Sequence, residues 1–380
     1  MPQLSIVILN YNVKYFLDAC LESVQKAITN FDAEIIVADN ASTDGSKEYF
    51  KDNYPDVNFL WLDKNEGFAK GNNRAVQQAK SDYLLILNPD TLMAENTVQV
   101  LFDFIKNKPN FGIVGGKMID GTGHFLPESK RGIPSPIVAF SKLTKLYKIL
   151  PFRPFNNYYA AHLNENQSGQ IDVLTGAFMF LKKSTYQNVG GFDERYFMYG
   201  EDIDLSYTIL QQSFQNYYCA QAKIIHFKGE SSQKDHRYYD HFLNTTFQFQ
   251  QKHFRSFPAQ EFLMKLFFKI WLWLRIKKTN QTNNPHAFNH FFYMGNDKNS
   301  EKLKTHFQEI KAYASYKIHN EINDKSLLIF DTETIPFSKI IDEMEKLKDK
   351  NFYFRFYFPK KQLIIGSDTK DILGDTKLLS

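Results

Sequence analysis

The chain has 380 residues, enough for one large domain and a smaller one. Hydrophobic residues make up 43%, which excludes a disordered chain, and a net charge of +4 is too small to imply a nucleic-acid partner. The two cysteines, Cys20 and Cys219, lack the partners of a zinc site and are expected as reduced core residues. Residues 4–9 read as a short apolar strand, with no basic or apolar leader before it, so a cytoplasmic location is expected. Residues 14–29 are amphipathic at helical spacing through Phe16, Leu17, Cys20, Leu21, Val24 and Ile28. The alternation continues with strands at 34–38, 57–62, 83–90 and 111–118 and helices at 46–53, 68–80 and 95–108. Strands separated by helices of this length imply a parallel sheet built from right-handed crossovers.

Residues 119–170 break the pattern with Gly, Pro and polar residues and read as a variable excursion near the active site. Regular structure resumes with a strand at 171–181, an acidic-ended helix at 201–212, a strand at 222–227 and a helix at 238–254. The apolar stretch from 262 to 274 would span about 20 Å as a helix, short of the ~30 Å hydrocarbon core. It is flanked by Lys252, Arg255, Lys265, Lys269, Arg275, Lys277 and Lys278 against Glu261 alone. That composition predicts an amphipathic helix lying in a membrane interface. After a polar break, a small α/β module is expected over 285–380, with strands at 290–294, 327–330, 352–358 and 363–366 and helices at 300–313 and 338–348. The expected division is therefore 1–258, 259–284 and 285–380, the last serving a structural or partner-binding role.

Five polar islands stand at or just beyond the carboxyl ends of strands, where ligands bind in open α/β sheets. They are Asn10-Tyr11-Asn12; residues 39–45 beginning at Asp39; residues 65–74 with Asn65, Gly67, Asn72 and Arg74; Asn88-Pro89-Asp90; and Gly200-Glu201-Asp202-Ile203-Asp204. A metal-holding carboxylate at Asp90 and a separate proton acceptor in the last island would suit transfer of a sugar from a nucleotide diphosphate. No Gly-rich phosphate loop follows the first strand, which disfavours a sugar-nucleotide pyrophosphorylase, and no Gly-x-Gly-x-x-Gly follows any strand, which disfavours a dehydrogenase.

The order of these islands resembles the family 2 glycosyltransferases of GT-A fold, in particular their bacterial rhamnosyltransferase-like branch. The resemblance covers roughly residues 3–255. It is carried by residues 5–12, 37–45, 65–73 and 88–90, by Thr175-Gly176-Ala177-Phe178 and Gly190-Gly191-Phe192-Asp193-Glu194, by Glu201-Asp202, and by residues 226–232 beginning at His226. It implies an α/β nucleotide-diphospho-sugar transferase fold, with a mostly parallel Rossmann-like sheet flanked by helices. It also implies roles. Asp39, Asn10 and Tyr11 would line the nucleobase pocket, and Asn65, Gly67, Asn72 and Asn88 would approach the nucleotide and donor sugar. Arg74 is either an electrostatic partner there or a helix-surface charge. Asp90, with His226 as a further ligand, would hold Mg²⁺ or Mn²⁺. Asn88 stands where the family often has a second aspartate, which removes one charge from the metal site. Asp202 would be the general base, with Glu201 its rival, and Gly190, Gly191 and Phe192 would shape the acceptor pocket. The implied reaction is inverting transfer from a nucleotide-diphosphate sugar, dTDP-rhamnose being the donor the branch suggests. The acceptor would be a glycan or polyprenyl-diphosphate-linked saccharide at the inner face of the cytoplasmic membrane. The reading from another class is a non-catalytic glycosyltransferase-like scaffold in a polysaccharide assembly complex.

Overall fold

A computed structural model describes residues 2–135, 138, 158–229, 236–254 (backbone only for 236–243), 288–307, 309–312, 324–369 and 373–379. The expected interfacial helix at 262–278 lies outside these residues, as do Glu230, Ser231 and Ser232 and the middle of the 119–170 excursion. Among the described residues no helix is long and apolar enough to cross a membrane.

The first half folds in the expected alternation: β1 (Leu4–Asn10), α1 (Lys14–Ala27), β2 (Ala33–Asp39), α2 (Ser46–Asn53), β3 (Asn58–Trp61), α3 (Gly67–Gln78) and β4 (Tyr83–Leu87). There follow β5 (Thr91–Met93), α4 (Thr97–Ile105), β6 (Phe111–Ile119), β7 (Gly169–Ile171), β8 (Phe178–Lys182), α5 (Lys183–Asn188), α6 (Glu201–Gln211), β9 (Gln215–His226) and α7 (His236–His253). The nine strands run β3-β2-β1-β4-β8-β6-β9-β5, with β7 on β9. β3, β2, β1 and β4 are mutually parallel. Their continuous apolar runs bury both faces: Ile6 and Ile8 enter one core, Val7 and Leu9 the other.

The other half departs from expectation. β6 does not extend the parallel run. β8 inserts antiparallel between β4 and β6, pairing Leu84 with Leu181 and Ile86 with Met179. The single strand expected over 171–181 is two strands, because residues 172–177 leave the sheet and cross its strand tips. An apolar run pairs equally well in either direction, so its sequence carries no sign of this reversal.

A second sheet, β11-β10-β12-β13-β14-β15, is built from β10 (His290–Met294), β11 (Lys311–Ala312), β12 (Ser326–Asp331), β13 (Phe352–Phe358), β14 (Leu363–Gly366) and β15 (Asp375–Leu378). Its helices are α8 (Asp297–Lys304) and α9 (Phe337–Leu347). The helix expected over 300–313 therefore ends early, and Lys311 and Ala312 join β10 instead.

The two sheets share one hydrophobic cluster. Phe337, Ile340, Ile341 and Met344 of α9 pack with Leu92 of β5 and Ile225 of β9, and with Phe16 and Phe227. Phe227 sits between Phe16 and Phe356, with ring centroids 5.1 and 5.5 Å away. Around this contact Lys223 pairs with Asp342 and Glu345 at 2.8 and 2.7 Å, and Lys361 with Asp18 at 2.8 Å. Glu95 accepts the first backbone N–H groups of α9, from Phe337 at 2.5 Å and Ser338 at 3.0 Å. A carboxylate at a helix N-terminus satisfies orphan donors and meets the positive end of the dipole.

Candidate active site

The carboxyl ends of β3, β2, β1 and β4 stand side by side, so the first four islands line one sheet edge. Asn10 lies opposite Asp39 in register and donates to its Oδ2 at 2.7 Å and to Ser46 Oγ at 3.2 Å. Asp39 Oδ1 accepts from the Ser42 N–H at 2.7 Å. Both carboxylate oxygens thus have protein partners and each keeps a free lone pair. Asn10 Oδ1 is buried without a partner, and Tyr11 follows, half-buried.

The next island is tied down locally. Asn65 Oδ1 accepts from the Gly67 N–H at 3.0 Å, while Asn40 clamps Glu66 N and Gly67 O at 3.0 and 3.1 Å. Gly67 has φ +83°, and a Cβ there would fall 2.3 Å from the Phe197 carbonyl oxygen, so only glycine fits. That same oxygen accepts the Phe68 N–H at 2.7 Å. The loop before α6 therefore seals the first turn of α3. Asn72 is buried with Oδ1 unpartnered. Arg74 pairs with Glu66 at 3.0 Å on the helix surface.

Asn88, Asp90 and His226 come together through strand pairing. Thr91 lies opposite His226, and the Phe227 N–H donates to the Asp90 carbonyl at 3.0 Å. Asp90 Oδ1 is 3.3 Å from His226 Nε2, and the Asn88 amide lies 3.5 Å from the same nitrogen. Asp90 and His226 are buried, yet Asp90 Oδ1 and His226 Nδ1 have no hydrogen-bond partner. Orphaned buried polar atoms are costly unless a ligand completes them. A carboxylate, an amide oxygen and an imidazole can hold Mg²⁺ or Mn²⁺, the imidazole favouring Mn²⁺. Among the described residues no set of three or more His, Cys, Asp or Glu side chains gathers for a metal. A divalent ion here would depend on phosphate oxygens for the rest of its shell.

Asp202 opens α6 after Gly200, whose φ is +87°. Its Oδ2 accepts from Arg131 Nη2 at 2.6 Å and from the Gly176 N–H at 3.2 Å, and its Oδ1 accepts from the Ile203 N–H at 2.7 Å. Ala177, the residue after Gly176, accepts the Asn88 N–H at 3.1 Å. Two consecutive residues thus hold Asp202 on one side and the tip of β4 on the other. A Cβ on Gly176 would also lie 3.0 Å from the Phe68 ring. Residues more than a hundred positions apart therefore meet within one short stretch of chain.

Residues 5–189 match the profile of the family described as Glycosyl transferase family 2. Those residues form a family 2 glycosyltransferase domain. An N-acetylglucosaminyl-diphospho-decaprenol L-rhamnosyltransferase of Mycobacterium tuberculosis is 28% identical over 243 residues, covering 61% of this chain and 78% of that protein. The low-salt glycan biosynthesis hexosyltransferase Agl10 of Haloferax volcanii is 23% identical, covering 60% and 67%. Among solved structures, the mannosyltransferase PcManGT of Pyrobaculum calidifontis in complex with GDP-Man and Mn²⁺ is 16% identical with a TM-score of 0.46, over 72% of this chain and 70% of that one. The family match and the parallel half-sheet with a reversed β8 identify the fold as GT-A.

Within this glycosyltransferase, Glu201 is buried. Burial, and then the charge of Asp202, push its carboxyl up to about 8 from the ordinary 4.5, and Oε2 has no partner. The folded chain keeps a proton there that the unfolded chain releases near pH 4.5, so this group lowers stability as pH rises from about 4.5 to 8. Glu201→Gln abolishes that titration. Its unfolding midpoint relative to wild type should climb between pH 5 and 8 in calorimetry; a constant difference would contradict the assignment.

Gly190 and Gly191 form a tight turn at φ +84° and +72°, which Asn73 ties to α3 by accepting the Phe192 N–H at 3.0 Å. Phe192 is a correction: its ring is buried against Phe68 and Tyr186 in the core, so no acceptor contact falls to it. Asp204 fastens α6 to α7 through Lys252 at 2.7 Å and His253 at 2.6 Å. Arg131 and Glu128 escaped the sequence reading, and Lys228 entered it only as part of the 226–232 motif, without a role. Arg131 lies in the excursion, which has no periodicity to mark it.

Proposed function

We propose that this chain is an inverting glycosyltransferase that moves a sugar from a nucleotide-diphosphate donor to a hydroxyl of a glycan or lipid-linked saccharide in cell-surface polysaccharide synthesis. The observation that supports this reading is the bonding of Gly176 to Asp202 and of Ala177 to Asn88, which ties the Asp202 carboxylate to the tip of β4. Asp202 is the base: its side chain keeps 13% exposure. A carboxyl at about 8, as in Glu201, is mostly protonated at neutral pH and is the poorer acceptor. The acceptor O–H bond breaks toward Asp202 as the oxygen bonds to the anomeric carbon, and the bond from that carbon to the diphosphate oxygen breaks. Attack opposite the departing diphosphate inverts the centre, and the proton on Asp202 returns to solvent. Asp90, His226 and Asn88 would hold Mg²⁺ or Mn²⁺, which when bound neutralises charge developing on the leaving diphosphate. Asn10, Tyr11 and Asp39 serve the nucleobase, and Asn65, Gly67 and Asn72 the ribose-diphosphate and sugar. Gly190 and Gly191 set the edge of the acceptor side.

The mycobacterial relative's name favours rhamnose as the sugar and a polyprenyl diphosphate as the acceptor's carrier. The basic, aromatic stretch 262–278 would bring the enzyme to that carrier at the inner membrane face. The function test is a thermal-shift panel of dTDP-rhamnose, UDP-N-acetylglucosamine and GDP-mannose, with and without Mn²⁺. One donor should raise the unfolding midpoint more in the presence of Mn²⁺ and release its nucleoside diphosphate slowly to water. No shift and no release with any donor would instead favour a scaffold role. Flotation with anionic vesicles should be lost when residues 262–278 are removed; equal flotation would remove the membrane proposal.

A further inference from the structure

The stretch from Pro127 to Arg131 touches both sides of the site. Pro127–Ser129 forms one 3₁₀ turn. It sets Glu128 against Lys228, two residues beyond His226. Burial opposes the Glu128 charge, but the Lys228 ammonium outweighs it and holds the carboxyl at about 2. Three residues on, the Arg131 backbone bonds Val173 in both directions, at 3.0 and 2.9 Å. Its guanidinium then reaches inward, and Nη2 donates to the Leu174 carbonyl at 2.6 Å and to Asp202 Oδ2 at 2.6 Å. Arg131 is only 8% exposed. Such a cation cannot swing to water, and a buried charge left without its partner is strongly destabilising.

Asp202 is bound unevenly. Oδ2 takes Arg131 and Gly176 from outside the helix, whereas Oδ1 takes only the N–H of the next residue. An aspartate in the first turn of a helix would otherwise sample several rotamers. Here the guanidinium selects one and leaves Oδ1 with spare acceptor capacity. We propose that Arg131 is a positioning residue, which locks the Asp202 carboxylate by Oδ2 so that Oδ1 meets the acceptor hydroxyl. The proposal rests on Asp202 being the base. Through Glu128 and Lys228, the same stretch keeps that carboxylate in register with the strand that ends at His226.

The test uses the full chain with Arg131→Gln, Arg131→Lys, Asp202→Asn and the double variant Arg131→Gln/Asp202→Asn. Kinetics use whichever of dTDP-rhamnose, UDP-N-acetylglucosamine or GDP-mannose the wild type turns over. Calorimetry uses dTDP, UDP and GDP with Mn²⁺. Arg131→Gln should lower kcat by about 10- to 100-fold while donor KM and nucleoside-diphosphate affinity stay within about threefold. Arg131→Lys should recover part of the rate, because an ammonium can still reach Oδ2. The double variant should be no slower than Asp202→Asn alone. Multiplicative losses in the double variant would overturn the proposal, as would a tenfold loss of nucleoside-diphosphate affinity in Arg131→Gln. Should Arg131→Gln fail to fold, Arg131→Lys decides: normal KM with reduced kcat supports the role, and raised donor KM overturns it. An inactive Asp202→Asn beside an unimpaired Arg131→Gln sinks the positioning role alone. Normal turnover in Asp202→Asn sinks the base assignment itself.

Discussion

Asp202→Asn is expected to lower sugar transfer by about 10²- to 10⁴-fold, the range a positioned base contributes, with nucleoside-diphosphate affinity near that of wild type. Asparagine has the same shape, and its amide oxygen can still accept from Arg131 and Gly176, which bind Oδ2 in the native chain. What it loses is the ability to take a proton. Because α6 packs on the catalytic core through buried Leu205 and Ile209, the substitution should leave the fold unchanged. Steady-state kinetics paired with calorimetric titration separates the two effects. Near-normal turnover in the variant would remove Asp202 as the base.

The second large effect is expected at Asp90. Asp90→Ala removes the carboxylate that lies 3.3 Å from His226 Nε2. Titration of dTDP, UDP or GDP in the presence of Mn²⁺ should then lose at least about tenfold in affinity, equivalent to ~1.4 kcal/mol. In EDTA the two proteins should bind nucleotide alike, because the lost interaction runs through the ion. Asp90→Asn keeps an oxygen donor without charge and should fall between them. An unaltered titration with Mn²⁺ would contradict a metal role for this residue.

Much of the parallel half of the first sheet was legible because its signals are local. A parallel strand buried on both faces is a run of branched apolar residues, and the tip that follows it is polar, as in Val37-Ala38-Asp39 and Leu85-Ile86-Leu87-Asn88. The helix over residues 46–53 and the strand over 352–358 are found at those bounds. What failed depends on partners remote in sequence. Pairing direction decided β8, and neither Phe178 nor Leu181 differs from a parallel-strand residue. β15 is exposed throughout and shows no alternation of apolar residues. Phe192 follows a Gly-Gly turn that looks like a loop, and only Phe68 and Tyr186, distant in sequence or face, reveal it as core. Arg131 is the clearest case. A buried guanidinium is made tolerable by Asp202, seventy-one positions away, and nothing beside it in the chain announces the pair.

The joint between the two sheets limits how this architecture can be rearranged by recombination. Phe16, Leu92, Ile225 and Phe227 belong to the catalytic side but are covered by Phe337, Ile340 and Phe356 of the other. A gene fusion or exchange that dropped the second sheet would leave an oily patch beside the very strands that bear Asp90 and His226. A version of the chain cut back to the first sheet should therefore need polar side chains at those four positions to stay monomeric in solution.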